Sequence, residues 1–203
     1  MKKSLGMNKD DFMKLFIAQL KYQDPLKPQD ATAMLDQLSQ LTMVEQSYNN
    51  TTATNNLLAA QNNSISLTAL TLIGKDVKAN GNEVSFDGST APTVEFSLAS
   101  AATSSQLSIA NSAGVVVRTV DLGSVNSGDS SYVWDGRDGS GALLAAGSYT
   151  FAVNAKAGNG GTVTATTYTT GKIDGVDLSG SVPQLNIGAS SIALSDVISV
   201  KGV

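Results

Sequence analysis

Neither cysteine nor histidine occurs in the 203 residues. Without them the Ser-His-Asp and Cys-His nucleophilic arrangements cannot be built. Disulfides and His or Cys zinc sites are excluded too. Only lysine or carboxylate chemistry is left for catalysis, and the serines and lysines show no spacing that suggests a dyad. An enzyme is therefore not expected, and no catalytic residue, cofactor or metal site is assigned. Positive charge is also scarce, with a net charge of −4 and a pI near 4.7. Residues 1–50 balance six lysines against six carboxylates, so the acidity lies in the remainder. No basic patch offers itself to nucleic acid. Long hydrophobic runs are missing: none approaches the ~20 apolar residues that span a bilayer. The opening Met1-Lys-Lys-Ser-Leu-Gly-Met-Asn-Lys-Asp-Asp11 has no apolar stretch of signal-peptide length before Asp10 and Asp11. Read alone, it fits a cytosolic protein.

Two of the four prolines fall in Gln19-Leu-Lys-Tyr-Gln-Asp-Pro-Leu-Lys-Pro-Gln-Asp30. Proline lacks a backbone N–H and drives the preceding residue out of the α region, so Asp24-Pro25 should end one helix. Asp30 can cap the next. The first helix is expected over 8–23, with Asn8 as its cap and Asp10 and Asp11 in the turn that the helix dipole favours for negative charge. Phe12, Leu15, Phe16 and Leu20 form one apolar stripe. A rod of about 24 Å is too short to be stable alone in water, so the stripe needs a neighbour.

The second helix, expected over 30–72, carries Met34, Leu35, Leu38, Leu41 and Val44. Asparagine and threonine, mediocre helix formers, then crowd 49–56 and 61–64. Val44, Thr51, Leu58, Ile65 and Leu72 nevertheless recur every seven residues, with Tyr48, Asn55, Asn62 and Ala69 between them. The pattern is a weak heptad with asparagine available to set register. It fits a coil between subunits, ordered on assembly, and equally a surface helix or a partly disordered linker.

From Gly74 the character changes to short alternating strands. Val77 and Ala79, the turn Asn80-Gly81-Asn82, then Val84 and Phe86 predict a hairpin. Val94, Phe96 and Leu98 share a face, as do Leu107 and Ile109, and Tyr149, Phe151 and Val153. Turn residues punctuate at roughly ten-residue intervals, the mark of a small β-sandwich. Units at 172–176, 184–188 and 191–200 return to hairpin-like patterns, and the sequence leaves open whether 76–88 pairs with 172–200. No amphipathic helix follows residue 75, and the fold class is α+β.

Trp134-Asp-Gly-Arg-Asp-Gly-Ser-Gly141 is the densest polar cluster. Calcium loops need oxygen ligands at alternate positions, and Arg137 and Gly139 occupy two of them. A self-satisfied turn is expected, with Trp134 and Tyr132 in the sandwich core beside Tyr149 and Phe151. Gly158-Asn-Gly-Gly161 lacks the Gly-Lys-Ser/Thr ending of a phosphate loop and reads as a turn.

Phe12-Met-Lys-Leu-Phe-Ile-Ala-Gln-Leu-Lys-Tyr-Gln-Asp-Pro-Leu-Lys-Pro28, followed by Gln37-Leu-Ser-Gln-Leu-Thr-Met-Val-Glu-Gln46, resembles the N-terminal region of flagellar hook-capping proteins, the FlgD family. Trp134-Asp-Gly-Arg-Asp, continuing to Ala146-Gly-Ser-Tyr-Thr-Phe151, resembles their Ig-like portion. The likeness extends over 9–48 and roughly 107–154. It implies a helical region at 1–73 and a fibronectin type III/Ig-like sandwich at 91–161. That sandwich would be inserted in a small Tudor-like barrel made of 74–90 and 162–203.

The resemblance also implies a non-enzymatic scaffold at the distal end of the growing hook, a ring of several copies (five in the family) that holds incoming hook subunits. Partners would be hook protein subunits, copies of itself and the flagellar export apparatus. The chain would leave the cytoplasm through the export channel without a cleaved signal. Expected contact residues are Phe12, Leu15, Phe16, Leu20, Gln23, Asp24, Pro25, Leu35, Leu38 and Leu41. Phe12 and Phe16 also fit a proposed export-docking spacing that any amphipathic helix yields. The rival reading is an extracellular β-sandwich adhesin or binding module with a helical anchor.

Overall fold

A computed structural model describes residues 31–180 and 182–201, together with Met13, Lys14, Ile17, Ala18 and Lys21, all five in helical conformation. Asn8, Phe12, Leu15, Phe16, Leu20, Gln23, Asp24, Pro25 and Asp30 lie outside the described residues. The chain divides into two compact units, residues 1–61 and 62–203.

Helix α1 runs from Ala31 to Leu70, close to the expected 30–72. It ends by tightening: the N–H groups of Thr71, Leu72 and Ile73 donate to carbonyls three residues back. Gly74 follows at φ +84°, where a side chain would be strained. Its N–H donates to the Ile173 carbonyl at 2.8 Å, and the Ile173 N–H returns to Lys75 at 2.9 Å.

The regular elements described after Lys75 are all β-strands apart from one 3-10 turn at Leu194–Asp196. One sheet, in the order β2 (Glu83–Phe86), β7 (Gly147–Lys156), β4 (Ala102–Ala110) and β5 (Val116–Val125), is antiparallel throughout. The short β8 (Thr162–Val163) pairs with the end of β7. The second sheet has the order β13 (Val197–Lys201), β1 (Asp76–Asn80), β9 (Ala165–Lys172), β3 (Thr93–Leu98) and β6 (Gly128–Val133). A third, of β10 (Gly175–Asp177), β11 (Gln184–Ile187) and β12 (Ser190–Ala193), has three strands.

Alternation places the cores. Val84, Phe86, Val94, Leu107, Ile109, Trp134, Tyr149 and Phe151 fill one end of the sandwich, with Tyr132 and Val153 packed against them. Phe96, Leu98, Ala102, Ala155 and Val163 fill the other end. A separate cluster joins Ala69 of α1 to Val77, Ala79, Ile173, Leu185, Ile187 and Ile192, with Leu72 against it.

Two expectations are corrected. The run 76–86 is not a hairpin, because β1 pairs with β9 and β13 while β2 pairs with β7. The chain changes sheets at Asn80-Gly81-Asn82. A Cβ on Gly81 would lie 2.6 Å from Thr169 Oγ1. That same hydroxyl accepts the Glu83 N–H at 3.0 Å, so a tertiary partner fixes the corner. Nor do the described strands close a barrel: β10–β12 keep a ladder of their own and cover Val77 and Ala79 as a second layer. Strand β9 belongs to both neighbourhoods, pairing with β3 through residues 165–168 and with β1 through 168–172.

Side-chain ties supplement this ladder. Lys78 Nζ lies 3.2 Å from Glu95, 3.1 Å from Asp129 and 4.0 Å above the Tyr168 ring. Burial works against the ammonium charge, but the bonds it donates to Asp129 and Glu95, with their negative charge, outweigh it and raise its pKa. The Ser85 hydroxyl accepts the Ala189 N–H at 3.0 Å, and the Ser148 and Ser190 hydroxyls share a hydrogen bond at 3.0 Å.

Aspartates stitch several turns, Asp87 and Asp177 exposed and Asp138 half-buried. Asp87 accepts the N–H groups of Thr90 and Ser89 at 2.6 and 2.7 Å, which hold its carboxyl far below the usual 3.8. Bonds from Ser140 and Ala142 lower Asp138, and those from Ser179 lower Asp177. Each folded-state pKa lies under the unfolded one, so this stabilisation is complete above about pH 4 and is lost as pH falls through the folded values. With no histidine to titrate, the thermal midpoint of the β unit is expected to stay level between about pH 8 and 5. It should drop only below about pH 4. Circular dichroism melts across buffers check this; a decline already between pH 7 and 5 would contradict it.

Candidate assembly surface

A 40-residue helix is about 60 Å long, and much of α1 is made of poor helix formers. Local bonding explains how they are accommodated. The hydroxyls of Thr42, Thr51, Thr52, Thr54, Ser66 and Thr68 each donate to the carbonyl four residues back, at 2.8–3.1 Å. Gln46 Nε2 donates to Asn50 Oδ1 at 3.2 Å. Hydroxyls bound in this way do not compete for other backbone groups.

Apolar side chains nevertheless stand out from the helix. Tyr48, Leu57 and Leu67 are 66–68% exposed, and Leu35, Met43, Val44 and Leu58 are all more than half exposed. Single exposed leucines are ordinary, but seven large apolar groups on one helix form a surface suited to a partner. No charged residue occurs between Glu45 and Lys75, so nothing along that stretch resists dehydration by burying a charge.

Of the expected contact residues that are described, Leu35 is exposed, while Leu38 and Leu41 are half-buried. Val44 and Leu58 stood out in the seven-residue repeat. Met43, Leu57 and Leu67 were missed because they lie off that row, and only a tally of apolar residues around the whole helix would have found them. The row is also split: Ile65 is half-buried, Ala69 is fully buried and Leu72 packs in the chain's own β core.

The Trp134–Gly141 segment is the structural turn its composition suggests. Trp134 is fully buried; its ring centroid is 5.6 Å from Phe86 and 4.9 Å edge-on from Tyr149. Its backbone N–H donates to Pro92 at 2.9 Å and its indole N–H to the Arg137 carbonyl at 3.0 Å. Asp138 Oδ1 accepts from the Ser140 N–H, the Ser140 hydroxyl and the Ala142 N–H at 2.7–2.9 Å, and Asp135 accepts the Arg137 N–H at 3.1 Å. Arg137 reaches the Gly141 carbonyl at 2.7 Å rather than bridging the two carboxylates. The Tyr149 hydroxyl closes the site by donating to Ala145 at 2.7 Å. Oxygens already engaged by the turn are poor candidates for a ligand. Among the described residues no group of His, Cys, Asp or Glu is placed to hold a metal, and no helix is long and apolar enough to cross a membrane.

Comparison with known proteins puts both halves in one lineage. Residues 1–62 match the family described as flagellar hook capping protein, N-terminal region, and residues 81–159 match the FlgD Ig-like domain. The basal-body rod modification protein FlgD of Escherichia coli (strain K12) is 35% identical over 158 residues, 74% of this chain and 68% of that protein. Its Salmonella typhimurium counterpart is 33% identical over 158 residues, covering 74% and 67%. A FlgD structure from P. aeruginosa superposes with a TM-score of 0.55 at 29% identity, over 64% of this chain and 98% of that one. FlgD from Xanthomonas campestris, at 24% identity and a TM-score of 0.56 over 66% and 98%, shares the fold. With both segments matched and the β fold superposed, the chain belongs to the FlgD family of flagellar hook capping proteins.

Proposed function

We propose that this chain is a flagellar hook cap, a scaffold without catalysis that sits at the distal end of the growing hook and promotes addition of hook subunits. The observation that carries the reading is the pairing of a long helical arm, free of charge beyond Glu45 and rich in exposed apolar groups, with a β unit that has its own cores. An arm of this kind gains stability when a protein surface covers it. The β unit meanwhile needs no partner to bury its aromatics.

In this reading Phe12, Leu15, Phe16, Leu20, the Gln23-Asp24-Pro25 corner, Leu35, Leu38 and Leu41 contact hook subunits or sister copies in a ring. A sandwich at 91–161 and a module of 74–90 with 162–203 form the outer head. The chain reaches the tip through the flagellar export channel without a cleaved signal; having no cysteine, it cannot be locked by disulfides before threading. Removing residues 1–61 is expected to abolish hook assembly in cells that depend on this copy, while residues 62–203 keep their cooperative unfolding. Hooks of normal number from the shortened chain would refute the scaffold reading. Retained attachment to a surface ligand by that chain would favour an adhesin.

A further inference from the structure

The edges of the sheets differ in how well they are closed. Strand β5 is blunted: the Gly139 N–H takes the Val117 carbonyl, Asp121 takes the Gly123 N–H, and its register breaks on both sides of 118–121. The register of β13 is broken as well, and Thr169 Oγ1 holds the Glu83 N–H at the rim of β2. Strands β10 and β12 are only three and four residues long. Strand β6 is the exception. Its six residues pair one for one with β3 without a bulge, and among the described residues no strand lies on its other side. It contains no proline or lysine, the usual guards of an edge, and its one charge, Asp129, is engaged by Lys78 at 3.1 Å.

Hydrogen-bond parity shows which groups of β6 are open. The Gly81 N–H takes the Thr167 carbonyl at 3.3 Å, so Thr167 faces β1 rather than β3. Phe96, opposite Thr167, therefore bonds Ser130 of β6. The Trp134 N–H keeps the same sense by donating to Pro92 at 2.9 Å. Asp129, Ser131 and Val133 thus turn their N–H and C=O groups outward. Such a row is matched by the backbone of another extended segment. Side chains narrow its chemistry. Tyr132 is only partly buried against the core, and Val133 is 59% exposed on the opposite face, so apolar groups beside them would gain cover. A carboxylate beside Asp129 would be repelled.

Resting on the hook-cap reading, we propose that the outer edge of β6 takes an extended segment of a hook subunit as an added strand, with apolar side chains beside Tyr132 and Val133 and no acid beside Asp129. The contact uses backbone groups that the segment offers only while it is unfolded. It is lost when the subunit folds and those groups pair internally, so holding and release need no separate trigger.

Short peptides tiling the hook subunit are the probe, added to the full chain. Amide hydrogen exchange is followed by NMR, and affinity by fluorescence anisotropy. A binding peptide at about ten times its Kd is expected to slow exchange at Asp129, Ser131 and Val133 roughly tenfold. Ser130 and Tyr132, already bonded to β3, should change little. Ser131→Pro deletes an outward N–H and no bond to β3, and should weaken binding about tenfold. Ser131→Ala keeps the N–H and should stay within about twofold of the parent. The exchange pattern of the parent chain decides the matter even if the proline variant fails to fold. No peptide protecting those amides, even protection along β6, or unchanged affinity in a folded Ser131→Pro chain overturns the proposal. So does protection that grows with the chain's own concentration, which would mean that a second copy covers the edge. If hooks still depend on residues 1–61 in that event, the cap reading survives; it is judged separately by that deletion.

Discussion

Trp134→Ala is expected to bring the β unit to the edge of unfolding at room temperature. The side chain is fully buried between Phe86 and Tyr149, and truncating a buried aromatic costs about 3–5 kcal/mol. Domains of this size are stable by roughly 5–15 kcal/mol, so most of the margin is at risk. The cavity would open where Val84, Val94, Leu107, Ile109 and Phe151 converge. The indole N–H that holds the Arg137 carbonyl goes with the ring. Urea unfolding followed by far-UV circular dichroism reads the loss, with Trp134→Phe as the milder control. A midpoint within error of the parent would mean the sandwich does not rely on this side chain.

Gly136→Ala should be nearly as damaging, although it adds a single methyl. Gly136 has φ +71°, a conformation that costs an L-residue about 1–2 kcal/mol. The new Cβ would also collide with the Phe86 ring, so that the ring must move. Displacing a packed core side chain costs a further ~1–3 kcal/mol. A total of roughly 2–5 kcal/mol is expected in the same urea assay. The two lesions share Phe86, which touches both Trp134 and the Gly136 site. The double variant should therefore fall short of the sum of the singles. Strict additivity would argue that Phe86 does not couple them.

The strands were legible where neighbours along the chain decide the outcome. Alternation at Val94, Phe96 and Leu98 and at Tyr149 and Phe151 marks buried faces that the sheets use as read. The Trp134–Gly141 turn was legible as self-satisfied, though the Arg137 bond to Gly141 was not, because a sequence does not show which acceptor a flexible cation reaches. Pairing was the weak point. Alternation makes β1 and β2 strands without saying what lies beside them, and the Asn80-Gly81-Asn82 corner looks local. It is set by Thr169, which lies 86 residues beyond Glu83 and holds its N–H. The seven-residue repeat hid a comparable division: Ala69 and Leu72 are used by the chain's own core, while Val44, Thr51 and Leu58 stay exposed. Nothing in the periodicity distinguishes the two fates.

Strand β9 carries a mechanical consequence. Because it is laced to β3 at one end and to β1 at the other, a pull on the smaller module along the strand loads a row of peptide hydrogen bonds together rather than one after another. Lys78 and the two serine links brace the same junction. Force applied there would thus travel through a stiff beam instead of being absorbed in a hinge.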